Sequence, residues 1–236
     1  MSTSTKLHVE SRGPDTGTTI MWVHGVDSDL HVWDHAINQV SKHQRCLAID
    51  LPGHGRSPSP DNPDSYTRDA VLEDLDNTIG AIRTANPAER LVYVGHSLGG
   101  YLGMAHALTR TDASIRIDGL VLVSTGPGFR DPDAMASWNE RVAANASKYS
   151  VSEAAASIAF HVDSLVIDHI TELTLPIALV IGEQDKAFLG ANDYLQKKLP
   201  NATRTTVDGA RHFVMKTNPE SVSEAVDTIV RSLDSR

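Results

Sequence analysis

The sequence predicts an α/β fold: a mostly parallel sheet with helices on both faces and a short helical insertion. Three observations carry this prediction. Short aliphatic or β-branched runs such as residues 18–23 (TTIMWV), 117–124 (IDGLVLVS) and 175–181 (LPIALVI) have the length and composition of buried strands. Longer segments with apolar residues at helical spacing alternate with them. The polar residues with chemical potential (His24, Asp50, Ser97, Asp185 and His212) all fall in loops just after predicted strands. In open α/β sheets, sites form at that carboxyl edge.

Taken in order, residues 6–10 are a candidate short strand and 11–17 (SRGPDTG) a turn by composition. The strand at 18–23 runs into the loop His24-Gly25-Val26-Asp27-Ser28-Asp29. Residues 33–40 place Trp33, Ala36, Ile37 and Val40 on one helical face. Residues 46–49 are a short strand, opening into the turn-rich DLPGHGRS at 50–57. Apolar residues spaced through 66–83 predict a helix that Asn86-Pro87 terminates. Residues 91–94 form a strand, and the helix after it reaches about residue 108. Residues 133–169 are alanine-rich without a convincing strand, and predict two or three short helices over the sheet edge. The strand at 175–181, a helix at 192–199, a strand at 203–207 and a closing helix at 219–233 complete the pattern.

The centre of the chemistry is LVYVGHSLGGYL at 91–102. Gly95-His96-Ser97-Leu98-Gly99 is a G-x-S-x-G pattern in strand–turn–helix context. That is a nucleophile elbow, in which a strained turn pushes one serine hydroxyl above the sheet. The bare pattern arises by chance on the order of one time in ten in a chain this long, so context has to carry it. A serine hydroxyl needs a base, an acid that orients the base, and donors for a developing oxyanion. His212, the histidine of the last loop, and Asp185, after a strand, meet the first two needs, with Glu183 the competing carboxylate. The oxyanion donors are the backbone N–H groups of Val26 and Leu98. Asp50 comes too early in the chain and reads as a hydrogen-bond acceptor that fixes its loop.

With HG at 24–25 and Trp33 downstream, DLPGHGRS at 50–57, GHSLGG at 95–100, Gly182 to Asp185 and His212-Phe213, the chain resembles the α/β-hydrolase fold superfamily from about residue 18 to 233. The resemblance implies a Ser97, His212, Asp185 triad, an oxyanion hole at Val26 and Leu98, and a helical cap roofing the substrate pocket. It implies a core at 1–128 and 171–236 with the cap at 129–170. The leading segment is too short for the family's usual pair of strands, so the sheet is expected to lack its first. The cap is shorter than in many relatives, which implies a more open pocket. Pocket candidates are Asp27, Trp33, Phe129, Trp138, Phe160, His161 and Phe213, with core packing the alternative for the aromatic ones.

Function is expected to be hydrolysis of an ester, lactone or thioester through an acyl-enzyme on Ser97. The alternatives are C–C cleavage of a diketone or a triad-based elimination, with Arg130 and Arg141 as anion partners, and a non-catalytic ligand receptor. No cofactor is expected, and no metal: His24, His54 and His96 lie in glycine-rich turns without ligand spacing. A net charge of −9 with no Lys/Arg run argues against nucleic-acid or anionic-membrane partners, leaving a small-molecule substrate. Cys46 is the lone cysteine, which excludes an internal disulfide. Residues 1–6 are polar and lack the apolar core of a signal peptide, so a cytoplasmic location is expected. The sequence leaves the oligomeric state open.

Overall fold

Alternation of side-chain direction along each strand divides the molecule into two cores. In the central strand β4 (Leu91–His96), Leu91 and Tyr93 enter one core while Val92 and Val94 enter the other. The same alternation runs through β2 (Thr19–Val23), β5 (Gly119–Val123) and β6 (Ile177–Gly182). These strands are buried along their whole length, as a sheet covered on both faces requires. The computed structural model describes residues 5–15 and 17–235. Residues 1–4 of the polar leader and residue 16 of the expected turn lie outside the described residues.

The seven strands order as β1-β3-β2-β4-β5-β6-β7, with β1 (His8–Arg12), β3 (Arg45–Asp50) and β7 (Thr203–Val207) as the remaining members. All pairs are parallel except β1 with β3. One strand precedes β2 among the described residues, lying at 8–12 rather than 6–10.

One face is covered by α1 (Asp34–Val40), a four-residue helix α8 (Val214–Thr217) and α9 (Pro219–Asp234). The other is covered by α2 (Arg68–Ala85), α3 (Leu98–Thr109) and α7 (Leu189–Lys198). Between β5 and β6 the chain runs through α4 (Pro132–Asn145), α5 (Glu153–Ala156) and α6 (Leu165–His169), joined by single 3-10 turns. α4 stands above the carboxyl edge. α6 instead packs against α3, with Val166 and Ile170 buried in the same core. The alanine-rich insertion is therefore heterogeneous: its last turns belong to the helix layer of the sheet.

Candidate active site

The sheet reverses direction of growth between β2 and β4: β3 adds on one side of β2, β4 on the other. The loops leaving β2 and β4 therefore part at a crevice, the topological switch point where α/β sheets bind ligands. Ser97 sits on one lip of it and Val26 on the other.

Ser97 has φ 49°, a left-handed conformation costly for a residue with a Cβ. Its surroundings impose that turn. A Cβ at Gly95 would collide with Gly99 O, and a Cβ at Gly99 with Val23 O, so both positions admit only glycine. The Ser97 N–H donates to Val123 O at 3.0 Å, and Thr125 Oγ1 donates to Ser97 O at 2.6 Å. Ser97 stands at the N-cap of α3, yet its side chain makes no capping bond. The hydroxyl that would ordinarily satisfy the helix start is left uncommitted. Leu98 opens α3, so its N–H has no acceptor within the helix.

His212 presents Nδ1 to Asp185 Oδ2 at 2.9 Å, and Asp185 is buried. Asp185 follows β6, and Glu183 is turned away to accept from Gly209 N–H at 2.9 Å. With Nδ1 donating to the carboxylate, Nε2 of His212 is the free basic nitrogen. Phe188 stacks on the imidazole at 4.8 Å between ring centres, and His96 lies on another side at 4.6 Å. His96 Nε2 donates to the His212 carbonyl at 3.0 Å. Burial, with the neighbouring His212 adding to it, holds His96 far below the usual histidine range, so it serves as a neutral donor.

The second loop cluster is built the same way. His24 accepts from Leu51 N–H at Nε2 (3.0 Å), which assigns its proton to Nδ1, facing Gly25 O at 2.7 Å. Burial, reinforced by His54, pushes its pKa down to about 3. His54 Nε2 lies 3.0 Å from Val26 O and so fixes the peptide beside the serine. Asp50 accepts from Leu30 N–H (2.8 Å) and Arg56 N–H (2.9 Å), tying its loop down. Among the described residues, no group of three His, Cys, Asp or Glu side chains could hold a metal ion.

Ser97, Leu98, Val26 and His212 open on one cavity of about 370 Å³. Of the pocket candidates, Asp27, Phe129, Trp138 and His161 line it, but Trp33, Phe160 and Phe213 do not. Trp33 is fully buried in the opposite core, 5.3 Å from Trp22 and edge-on to His96 at 6.4 Å. Phe213 also packs on that side, 5.1 Å from His96. Phe160 has an extended backbone, which turns its side chain to the opposite side from His161 and into the core. The sequence reading missed Tyr101, Tyr149 and Phe188 as lining residues. Two of them carried a signal: Tyr101 lies one helical turn beyond Ser97, and Phe188 shares the loop of Asp185. Arg130 lies away from the cavity in an exposed ion pair with Asp168, whereas Arg141 lines it.

A serine on a strained strand–turn–helix connection at the switch point of a mostly parallel sheet points to the class. The family model for the alpha/beta hydrolase fold matches residues 18–162, and the chain belongs to that family. Along nearly its full length the chain is similar to "Putative 2-succinyl-6-hydroxy-2,4-cyclohexadiene-1-carboxylate synthase" of Bacillus subtilis (strain 168). The two are 21% identical, with 99% of this chain and 97% of that protein covered. It is 33% identical to a pimeloyl-(acyl-carrier protein) methyl ester esterase of Nitrosomonas europaea over 52% of this chain and 42% of that protein. Among solved structures, MenH from S. aureus superposes with TM-score 0.82 at 17% identity, covering 95% of this chain and 98% of that one. The enol-lactonase from Burkholderia xenovorans LB400 superposes with TM-score 0.76 at 20% identity, covering 96% and 97%. These structural likenesses establish the fold. The chain is thus an α/β-hydrolase enzyme, and among the described residues no helix is long and apolar enough to cross a membrane.

Proposed function

We propose that the chain hydrolyses a carboxylic ester-type bond (ester, lactone or thioester) through an acyl-enzyme on Ser97. One observation carries this reading: an uncommitted serine hydroxyl and a histidine already paired to a buried carboxylate open on the same, largely apolar cavity. Ser97 Oγ attacks the carbonyl carbon as His212 Nε2 takes its proton, and Asp185 stabilises the imidazolium. The N–H groups of Leu98 and Val26 receive the oxyanion. The tetrahedral adduct collapses, the bond to the leaving group breaks, and the imidazolium protonates the departing oxygen or sulfur. Water then gives its proton to His212 Nε2 and attacks the acyl carbon; the acid leaves and Ser97 regains its proton. Of the segment at 129–170, the part before α6 acts as a cap, with Phe129, Trp138 and His161 roofing the substrate beside Asp27. Labelling of Ser97 by a fluorophosphonate probe, with turnover of p-nitrophenyl esters lost in Ser97→Ala, is the expected result; undiminished activity in that variant rules the reading out.

The synthase name of the Bacillus subtilis relative, which matches across nearly the whole chain, favours a second reading. There the same triad acts as a base in elimination, or cleaves a C–C bond, with Arg141 as the cavity's cation. A covalent acyl-Ser97 adduct trapped from esters and seen by mass spectrometry supports the first reading. Conversion of a diketone or an elimination substrate with no ester turnover supports the second.

A further inference from the structure

Among the described residues, His161 is the one histidine lining the cavity besides His212. The mechanism above assigns it no role beyond roofing the substrate, and its environment is unusual. The ring stands edge-on to Tyr101 at 4.5 Å and to Phe129 at 5.2 Å, and lies 5.9 Å from Trp138. Its backbone is clamped by Asn139 of α4, whose Nδ2 donates to His161 O at 2.8 Å and whose Oδ1 accepts from His161 N at 2.9 Å. Two residues on, Asp163 is held by a two-pronged pair with Arg68 of α2, at 2.7 and 2.9 Å. A side chain anchored on both flanks and walled by three aromatic rings has little rotational freedom to lose on binding.

The two ring nitrogens differ. Nδ1 is sealed from solvent with no hydrogen-bond partner, against Gly128, where a Cβ would come within 2.9 Å of it. Among the described residues Nε2 has no partner either, but it is not sealed, and the ring lines the cavity. An N–H sealed without an acceptor is costly, whereas an N–H facing a cavity can be met by water or ligand. The proton therefore belongs on Nε2. Burial pushes the pKa down to about 4, with Asp163 opposing and Arg68 assisting, so the imidazole is uncharged at neutral pH. The result is a rigid, neutral donor on the cavity wall. Tyr101, which packs on the ring, is one helical turn from the Ser97 elbow.

We propose that His161 is a specificity-determining residue whose Nε2–H donates to an uncharged oxygen of the substrate other than the scissile carbonyl. The preferred substrates are then esters or lactones carrying a keto, hydroxyl or ether oxygen, rather than plain alkyl esters. An alkyl chain leaves the donor desolvated and unpaired, which is the way a polar site rejects an analogue that lacks the matching group.

This inference rests on the ester reading, and its test separates the two. Substrates are p-nitrophenyl heptanoate and three isosteres with an ether oxygen in place of the methylene at C3, C4 or C5 of the acyl chain. The ratio of kcat/KM for each ether ester to that for the alkyl ester is measured in the unmodified protein, in His161→Leu, in His161→Met and in His161→Gln. For at least one isostere the ratio falls about five- to tenfold in the Leu and Met variants, chiefly through KM. In His161→Gln, whose amide nitrogen reaches the Nε2 position, it recovers by more than half. Two apolar variants are used so that a folding defect in one does not remove the test. Equal changes for ether and alkyl esters, within twofold, overturn the proposal and leave ester hydrolysis standing. No turnover of any of the four esters by the unmodified protein overturns the ester reading, and this inference with it.

Discussion

The elbow and the roof above it are built on opposite principles. At the elbow, backbone does the work: Gly95 and Gly99 stand where no Cβ fits, Ser97 is held at φ 49°, and main-chain bonds tie β4 to β5. Over the cavity, side chains do it. Trp138 Nε1 donates to Ala159 O at 2.9 Å, Asn139 clamps His161, and Arg68 grips Asp163. The first arrangement is rigid and readable from a five-residue pattern, because glycine spacing is itself the constraint. The second can be altered one contact at a time, which suits a part that meets variable substrates. On the function proposed above, chemistry falls to the backbone-determined region and selectivity to the side-chain-determined one.

The largest effect expected from breaking this contrast is at Ser97. Replacement by alanine should lower kcat for the ester substrates by ~10⁵-fold or more, while the melting temperature holds, since alanine keeps the same Cβ in the same strained backbone and the hydroxyl it removes makes no capping bond. No substitution in the roof should approach that loss. Steady-state kinetics beside thermal melts check both halves.

Acid comes next. His24, His96 and His161 are buried and neutral, with pKa values of about 3, far below the usual range, and about 4, and His54 is lowered in the same direction, in each case chiefly by burial. Above pH 6.5 folded and unfolded chains both leave these rings neutral and nothing changes. Below it the unfolded chain takes up protons that the folded one refuses, so stability is lost as pH falls. By pH 5 His24 and His161 each contribute about 2 kcal/mol of loss, and His96 and His54 add to it in the same direction. Unfolding in urea should show stability dropping by at least about 4 kcal/mol between pH 7 and 5. Because three of the four rings flank the elbow, His161→Leu should reduce that drop by only about 2 kcal/mol; a variant that abolished it would place the sensitivity in the roof.

Gly99→Ala attacks the elbow without touching any reacting group. The added methyl meets the Val23 carbonyl, which cannot yield without shifting β2, and a cost of about 3 kcal/mol is expected, read as a lower urea midpoint. The smallest effect is in the roof. Trp138→Phe removes the bond to Ala159 O and should cost about 1 kcal/mol. It should raise KM severalfold with kcat within a factor of three, and speed proteolysis within 132–172. A large fall in kcat instead would erase the distinction drawn between the two regions.

The sheet, the order of its helices, the elbow and the pairing of Asp185 with the last-loop histidine were all legible before any coordinates, because each has a local signature: period-two burial, helical spacing, glycines around a serine. Strand and helix ends shifted by one to three residues, as capping rather than periodicity sets them. Pocket membership was less legible. Trp33 and Phe213 stand beside conspicuous residues in sequence, yet they face the opposite core; Phe160 points away because its backbone is extended. Tyr101, Tyr149 and Phe188 were passed over although they face the cavity.

By itself, then, the sequence determined which residue types meet at the carboxyl edge, because chain order and alternation decide where strands end. Only the tertiary structure decided which aromatic rings line the cavity and which side of His161 is open. Both depend on how a segment with no strong period of its own packs across a sheet from residues distant in the chain. The orientation of one imidazole among Tyr101, Phe129 and Trp138 is a property of that packing, and no local pattern encodes it.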